Sequence, residues 1–335
     1  MTGTARPIRL TEWTSCGGCA AKWGASLLGE MVGALPAGFD PSLLVGLAPF
    51  DDAAVYALTD ELALVSTVDF FPPLVDDPDD FGTIAAANAC SDVFAMGGRV
   101  VVAVNVAAFP EELPRDVIAA ILAAASRTVA EAGGTVAGGH TIRNPEPIFG
   151  LAVQGVVEPR RVWKKAGARI GDVALLSKPI GTGLVTAGGT PAEVATAVAG
   201  MRTLNRTAAE QLAILGDAVH AVTDVTGYGL AGHGWEIAER SGVRLVIESD
   251  SIPLYMGARG AAERGVRTGG DARNRAYVDR VLVATDDVAT ALCLDPQTSG
   301  GLLAAVDESG ARRLVDLGWA RIGEFIGGDA GVSIL

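Results

Sequence analysis

The 335-residue chain has no apolar run approaching the ~18 residues that cross a bilayer. Its most apolar stretch, Val100 to Phe109, is interrupted by Asn105 and reads as a buried strand. The opening MTGTARPIRLTEW has no apolar core of the kind a signal peptide carries. Four cysteines in a chain this long do not make a disulfide framework. Positive charge is scarce: 26 Lys+Arg against 39 Asp+Glu leave −13, which argues against a nucleic-acid backbone or an anionic membrane as the partner. Lysine is rarest of all. Lys22, Lys164, Lys165 and Lys178 are the four, none follows a glycine, and so a Walker A loop is excluded. Solenoid repeats and low-complexity tracts are absent as well. These absences leave a soluble, cytoplasmic protein of about two domains, at ~150 residues each.

What is present is unevenly spread. Residues 1–157 carry 7 basic and 18 acidic side chains, residues 158–335 carry 19 and 21, so surplus carboxylates gather in the first half. Glycine, 43 residues, is nearly twice its usual ~7% and sits at element ends rather than in a period. A Gly-rich start is followed by a helical pattern over Ala25–Leu35 and strand-like runs over Ala53–Leu58 and Leu62–Phe71. A helix capped by Asp80 is expected to run to Ala95 and end at Gly97-Gly98. A strand over Val100–Val106, a helix opened by Pro114, a strand to Ala137, a Gly138–Thr141 loop and a strand over Ile148–Val157 follow. Glu158 to Gly171, with five basic residues, reads as a linker. The expected organisation is a segment and helix over 1–48, an N-terminal domain over 49–158 and a C-terminal domain over 172–330, in a mixed α/β (α+β) fold.

Three constellations carry chemistry. In Cys19-Ala20-Ala21-Lys22 a cation three residues from a thiol favours thiolate, or reaches a phosphate; an exposed thiol beside a surface lysine explains the same spacing. Cys16 and Cys19 also form C-x-x-C, but no further zinc ligands at suitable spacing accompany them. The second constellation is Asp51-Asp52, Asp69, Asp92 and Asp224. Each alone is most often a cap, a turn or a solvated face. Asp92, however, near a helix C-terminus, opposes the helix dipole, so local propensity does not account for it. Several carboxylates without matching bases suit Mg²⁺ holding a polyphosphate. The third is Gly227-Tyr228-Gly229-Leu230-Ala231-Gly232, a G-x-G-x-x-G with Glu248 at ribose-binding distance. It is preceded by the polar Thr223-Asp224-Val225-Thr226, where a dinucleotide fold has an apolar strand. Gly138-Gly139-His140-Thr141 is either an anion nest or a tight turn.

Taken in order, Gly18–Lys22, Asp51–Tyr56, Asn88–Gly98, Ala137–Thr141, Pro145–Gly150, Thr223–Gly229 and Asp295–Gly301 resemble the selenophosphate synthetase (selenide, water dikinase) family of the AIR synthetase-like ATP-binding superfamily. The resemblance spans nearly the whole chain and displaces the dinucleotide reading. It implies formation of selenophosphate, AMP and phosphate from ATP, selenide and water, the product being a selenium donor for selenocysteine and selenouridine. It further implies a homodimer paired through the N-terminal sheet and a ferredoxin-like C-terminal domain. By motif position, Cys19 and Lys22 would be catalytic. Lys22, Pro49, Phe50, Asp51, Asp69 and Asp92 would contact ATP, as would Gly139, His140 and Thr141 across the dimer, while Asp52, Asp92 and Asp224 would hold Mg²⁺. Where relatives can have a cysteine just before the lysine, this chain has Ala21.

Overall fold

A computed structural model describes residues 8–23, 31–32, 35, 40–47 and 49–335. The helix expected over Ala25–Leu35 falls mostly outside them. The chain builds two sheets in sequence. The first contains β1 (Leu43–Val45), β2 (Ala54–Ala57), β3 (Ala63–Phe71), β4 (Arg99–Phe109), β5 (Thr135–Arg143) and β6 (Ile148–Val157), in the order β1-β2-β3-β6-β4-β5. All its pairings are antiparallel except β4–β5, which is closed by a helical crossover. The second sheet contains β7 (Val173–Leu176), β8 (Val219–Asp224), β9 (Arg244–Ile247), β10 (Leu282–Ala284), β11 (Leu302–Val306), β12 (Ala320–Ile326) and β13 (Gly331–Ile334), in the order β10-β13-β9-β12-β7-β11-β8. The result is a mixed α+β protein of two sheet-containing domains.

Two helices lie on the first sheet, α1 (Pro78–Ala95) and α2 (Arg115–Glu131). Alanine-rich α1 is buried on nearly every side, as a helix without an amphipathic stripe must be. Phe81 on α1 meets Phe71 and Phe149 at ring-centroid separations of 6.1 and 6.2 Å, tying the helix to β3 and β6. That placement matters for the site, because polar residues of α1 are held by other elements: Asn88 by the turn before β11, Ser91 by Asn205 and Asp92 by Thr67 of β3.

Two expectations are corrected. The helix starts at Pro78, and Asp77 rather than Asp80 caps it, its Oδ1 accepting from the amides of Asp79 (2.8 Å) and Asp80 (2.9 Å). Gly138–Thr141 is no loop: it lies within β5, where the β4 pairing steps from Ala103↔Val136 to Asn105↔Gly139 through a bulge. A glycine pair is unremarkable in an edge strand at a bulge, which is why the sequence pattern suggested a turn.

Candidate active site

The site is a cleft of about 490 Å³ between the two sheets, lined by Lys22, Pro49, Phe50, Asp51, Asp52, Thr67, Asp69, Asp92, Lys165, Asp224, Thr226, Gly227, Tyr228 and His233 among others. Each carboxylate arrives from a different element: Asp51 and Asp52 from the turn before β2, Asp69 from β3, Asp92 from the last turn of α1, Asp224 from the end of β8. Nine of the twelve site residues expected from sequence therefore meet, or in the case of Cys19 adjoin, one cleft. Gly139, His140 and Thr141 do not. They stand exposed on β5, away from the cleft of their own chain.

Fixed partners hold this acidic wall in place. Thr67 Oγ1 donates to Asp92 Oδ2 (2.5 Å), and Thr223 Oγ1 to Asp52 Oδ1 (2.9 Å). The Lys165 amide donates to Asp51 Oδ2 (3.1 Å), while its buried ammonium sits 2.8 Å from both Asp52 and Glu236. Burial opposes that ammonium's charge, but Asp52 and Glu236 prevail and raise its pKa. Glu236 also takes His233 Nδ1 at 3.2 Å, and burial is outweighed there by Lys165, so its carboxyl stays far below the usual range. Phe50 is covered by the Arg240 guanidinium at 4.5 Å and the Lys165 ammonium at 5.7 Å.

Asp69 is paired with Lys22, but Asp51, Asp92 and Asp224 form no ion pair among the described residues. Burial, then the neighbouring Asp52 charge, pushes both Asp51 and Asp224 up to about 6. Burial, then Asp224, Asp69 and Asp52, lifts Asp92 well above the carboxylate range. Asp52 Oδ2 and Asp224 Oδ2 are buried with no hydrogen-bond partner. Crowded acids with orphaned oxygens are the donor set a hard divalent cation requires. Among the described residues no three acidic, His or Cys side chains already stand in a finished coordination group, so an ion here would draw them together or share ligands with phosphate oxygens.

The thiol loop closes one end of the cleft. Gly18, at φ +60°, lets the chain turn against Thr298, and a Cβ there would come within 2.6 Å of Thr298 Oγ1. Lys22 Nζ then reaches Asp69. Burial alone would lower the lysine's pKa, but Asp69, followed by Cys19 and Asp92, holds it well above normal. Cys19 behaves otherwise than its spacing suggested. Its thiol is fully buried against Asn88 Oδ1 at 3.4 Å, and burial, despite Lys22, pushes it up to about 12. In this docked position it is a neutral thiol. The G-x-G-x-x-G segment serves this contact: a Cβ on Gly227 would lie 3.0 Å from Cys19 O and 3.2 Å from Lys22 Cδ.

Sequence reasoning missed Lys165, Asn88, Thr67 and the His233–Glu236 pair. The isolated polar residues of an otherwise apolar α1 were a signal for Asn88. Lys165 gave none, being one of five basic residues in a linker.

Comparison with known proteins places this geometry in a class. Residues 50–157 match the N-terminal domain and 169–334 the C-terminal domain of AIR synthase related proteins. Among solved structures, a ThiL complexed with AMPPCP and TMP superposes with a TM-score of 0.69 at 19% identity, over 93% of each chain. The hydrogenase maturation protein HypE in complex with ATP gives 0.62 at 21%, over 88% of this chain and 86% of that one. At such identities these two share the fold. Closer relatives are selenide, water dikinases: that of Myxococcus xanthus is 44% identical over 99% of this chain and 98% of its own length, and that of Caldanaerobacter subterraneus is 45% identical over 92% and 90%. The chain belongs to the selenide, water dikinase (selenophosphate synthetase) family and is an enzyme, a phosphotransferase.

Proposed function

We propose that this enzyme makes selenophosphate from ATP, selenide and water and releases AMP and phosphate, its product serving as a selenium donor. One observation carries the reading: Lys22 lines a cleft walled by five aspartates, and Cys19, on the same loop, is buried beside it.

Asp52, Asp92 and Asp224 would hold Mg²⁺, which would supply charge neutralisation for the ATP phosphates. Lys22 would exchange its Asp69 contact for a phosphate oxygen, and Pro49, Phe50, Asp51, Asp69 and Asp92 would line the nucleotide. Lys165, pinned between Asp52 and Glu236, holds Asp52 in the wall of the cleft. Cys19, released from its buried seat, would receive selenide and shield it from water.

Gly139, His140 and Thr141 would act in the neighbouring subunit of a homodimer. Supporting this, β5 pairs with β4 on one edge only, its residues from Ala137 to Arg143 are all exposed, and Val68, Phe70 and Ile142 leave apolar side chains in solvent. We place the enzyme in the cytoplasm, consistent with four free cysteines and with no described helix long and apolar enough to cross a membrane. Incubation with ATP, Mg²⁺ and selenide, followed by phosphorus NMR, should give selenophosphate and AMP in a selenide-dependent manner. ADP as the sole nucleotide product would make this an ordinary kinase and end the proposal.

A further inference from the structure

The turn between α-helical Leu294 and β11 contains the one non-glycine residue with positive φ among the described residues, Ser299 at +50°. That backbone is costly for a residue with a Cβ and persists only where its surroundings over-determine it. Its side chain is not what holds it, because Ser299 Oγ is buried without a partner. The main chain is held from both sides instead. The Ser299 amide donates to Asn88 Oδ1 at 2.8 Å, and its carbonyl accepts from the Lys178 ammonium at 2.9 Å. Lys178 makes its other contact to the Thr203 carbonyl at 2.5 Å. It is buried with no carboxylate in contact among the described residues, and burial, against the pull of Asp224, lowers it to about 7.

From this clamp the contacts run to the thiol. Asn88 Oδ1 accepts from Cys19 Sγ as well as from Ser299, and its Nδ2 donates to Asp69 Oδ2 at 2.5 Å. Thr298, the preceding residue of the turn, accepts the Cys19 amide on Oγ1 at 3.0 Å. The following residue, Gly300, is tied to α1 by Asn205, whose Nδ2 donates to Gly300 O and to Ser91 Oγ, both at 2.8 Å. Three consecutive turn residues are thus tied in place, Thr298 to Cys19, Ser299 to Asn88, and Gly300 through Asn205 to Ser91.

We propose that Lys178 is a positioning residue for the thiol loop: by holding the Ser299 carbonyl it fixes the Thr298–Gly300 turn, and the turn fixes the seat of Cys19. Lys178 touches neither the cleft nor the thiol. Its effect on turnover rests on Cys19 being the acting thiol, whereas its effect on the seat does not.

The test is site-resolved alkylation of the full chain with N-ethylmaleimide, read by peptide mass spectrometry, together with steady-state kinetics. In the unaltered enzyme Cys19 should label far more slowly than half-buried Cys16. Lys178→Met should speed Cys19 labelling about tenfold, the scale of one lost hydrogen bond to a charged group. Buried Cys90 and Cys293 should stay as slow as before, and kcat should fall with KM for ATP unchanged. Thr298→Val, which removes only the hydroxyl that receives the Cys19 amide, should expose Cys19 in the same way and carries the test if Lys178→Met does not fold. Unchanged Cys19 labelling in the folded variants overturns the proposal. So does a parallel rise at Cys19, Cys90 and Cys293, which would mean general loosening of the core. Faster Cys19 labelling with unchanged kcat supports the positioning and removes Cys19 from turnover.

Discussion

Lys22 Nζ lies 3.0 Å from Asp69 Oδ1 and 3.2 Å from Asp69 Oδ2, so a single ammonium joins the thiol loop to the third strand of the first sheet. In the docked loop the lysine's partner is a carboxylate. A bound polyphosphate offers denser negative charge at the same place, and exchange of one anion for the other is how the loop would register substrate. Lys22→Met is expected to lower kcat by about 10²-fold or more, the scale seen when a preorganised donor to developing charge is lost. Steady-state AMP release measures it. A raised KM with unchanged kcat would mean that Lys22 binds substrate and transition state equally.

The acidic wall sets the pH dependence. Asp224 titrates at about 6 in the folded chain, against about 3.9 for a free aspartate. A raised carboxyl pKa means that the folded state holds its proton longer. This group's stabilising contribution is therefore fully present below about pH 3.9 and is lost as pH rises through about 6. A divalent cation reverses the sign by replacing the proton. The gain in Tm on adding Mg²⁺ is expected to be small at pH 5 and to grow towards pH 7. Asp224→Asn, Asp52→Asn and Asp92→Asn should each blunt that gain and reduce turnover strongly while the fold is retained. A Tm gain independent of pH, or untouched by all three substitutions, would separate the cation from these side chains.

Much of this arrangement could be read from residue order, and what could not was non-local. Asp92 stood out because local structure gave it no task, whereas Asp51, Asp52, Asp69 and Asp224 stood out only as a set of carboxylates without matching bases. Lys165 and Asn88 acquire theirs only when distant elements fold together. Local signals were also misassigned: Asp77-Pro78 is a helix start, an acid cap followed by proline in the first turn, although Asp80 looked equally suitable.

That correction has its own consequence. Asn caps as well as Asp, so Asp77→Asn should leave stability and activity nearly unchanged. Asp77→Ala should cost about 1 kcal/mol in urea unfolding and leave kcat alone. A loss of turnover in Asp77→Asn would extend the functional acidic set beyond the cleft.

The exposed β5 edge leads to an oligomeric expectation. The bulge at Ala137-Gly138 and the apolar side chains of Val68, Phe70 and Ile142 lie on the first sheet, and a second copy is the simplest partner for them. Light scattering should give twice the chain mass across a broad concentration range. His140→Ala should then weaken ATP binding without affecting the fold, because the residue would serve the neighbouring cleft. A monomer at all concentrations would leave His140 without a nucleotide to reach.

The two N-terminal cysteines should part company on substitution. Cys19 is buried, three residues before Lys22, with its thiol on Asn88 and its amide on Thr298. Cys16 is half-buried and free, its backbone held by Thr14 Oγ1, and a Cβ added at Gly269 would lie 3.9 Å from its sulfur. A hydroxyl fits either space but is harder and far less acidic than a thiol, and a poor partner for selenium. Cys19→Ser is therefore expected to abolish selenide-dependent turnover and keep its Tm, whereas Cys16→Ser keeps most activity. Selenophosphate formation by each variant under reducing conditions decides it. Equal damage from both would mean that the cysteines act as a redox pair. Full activity in Cys19→Ser would leave Lys22 and the aspartates to account for catalysis, with the buried thiol only a small apolar side chain filling the seat beside Asn88.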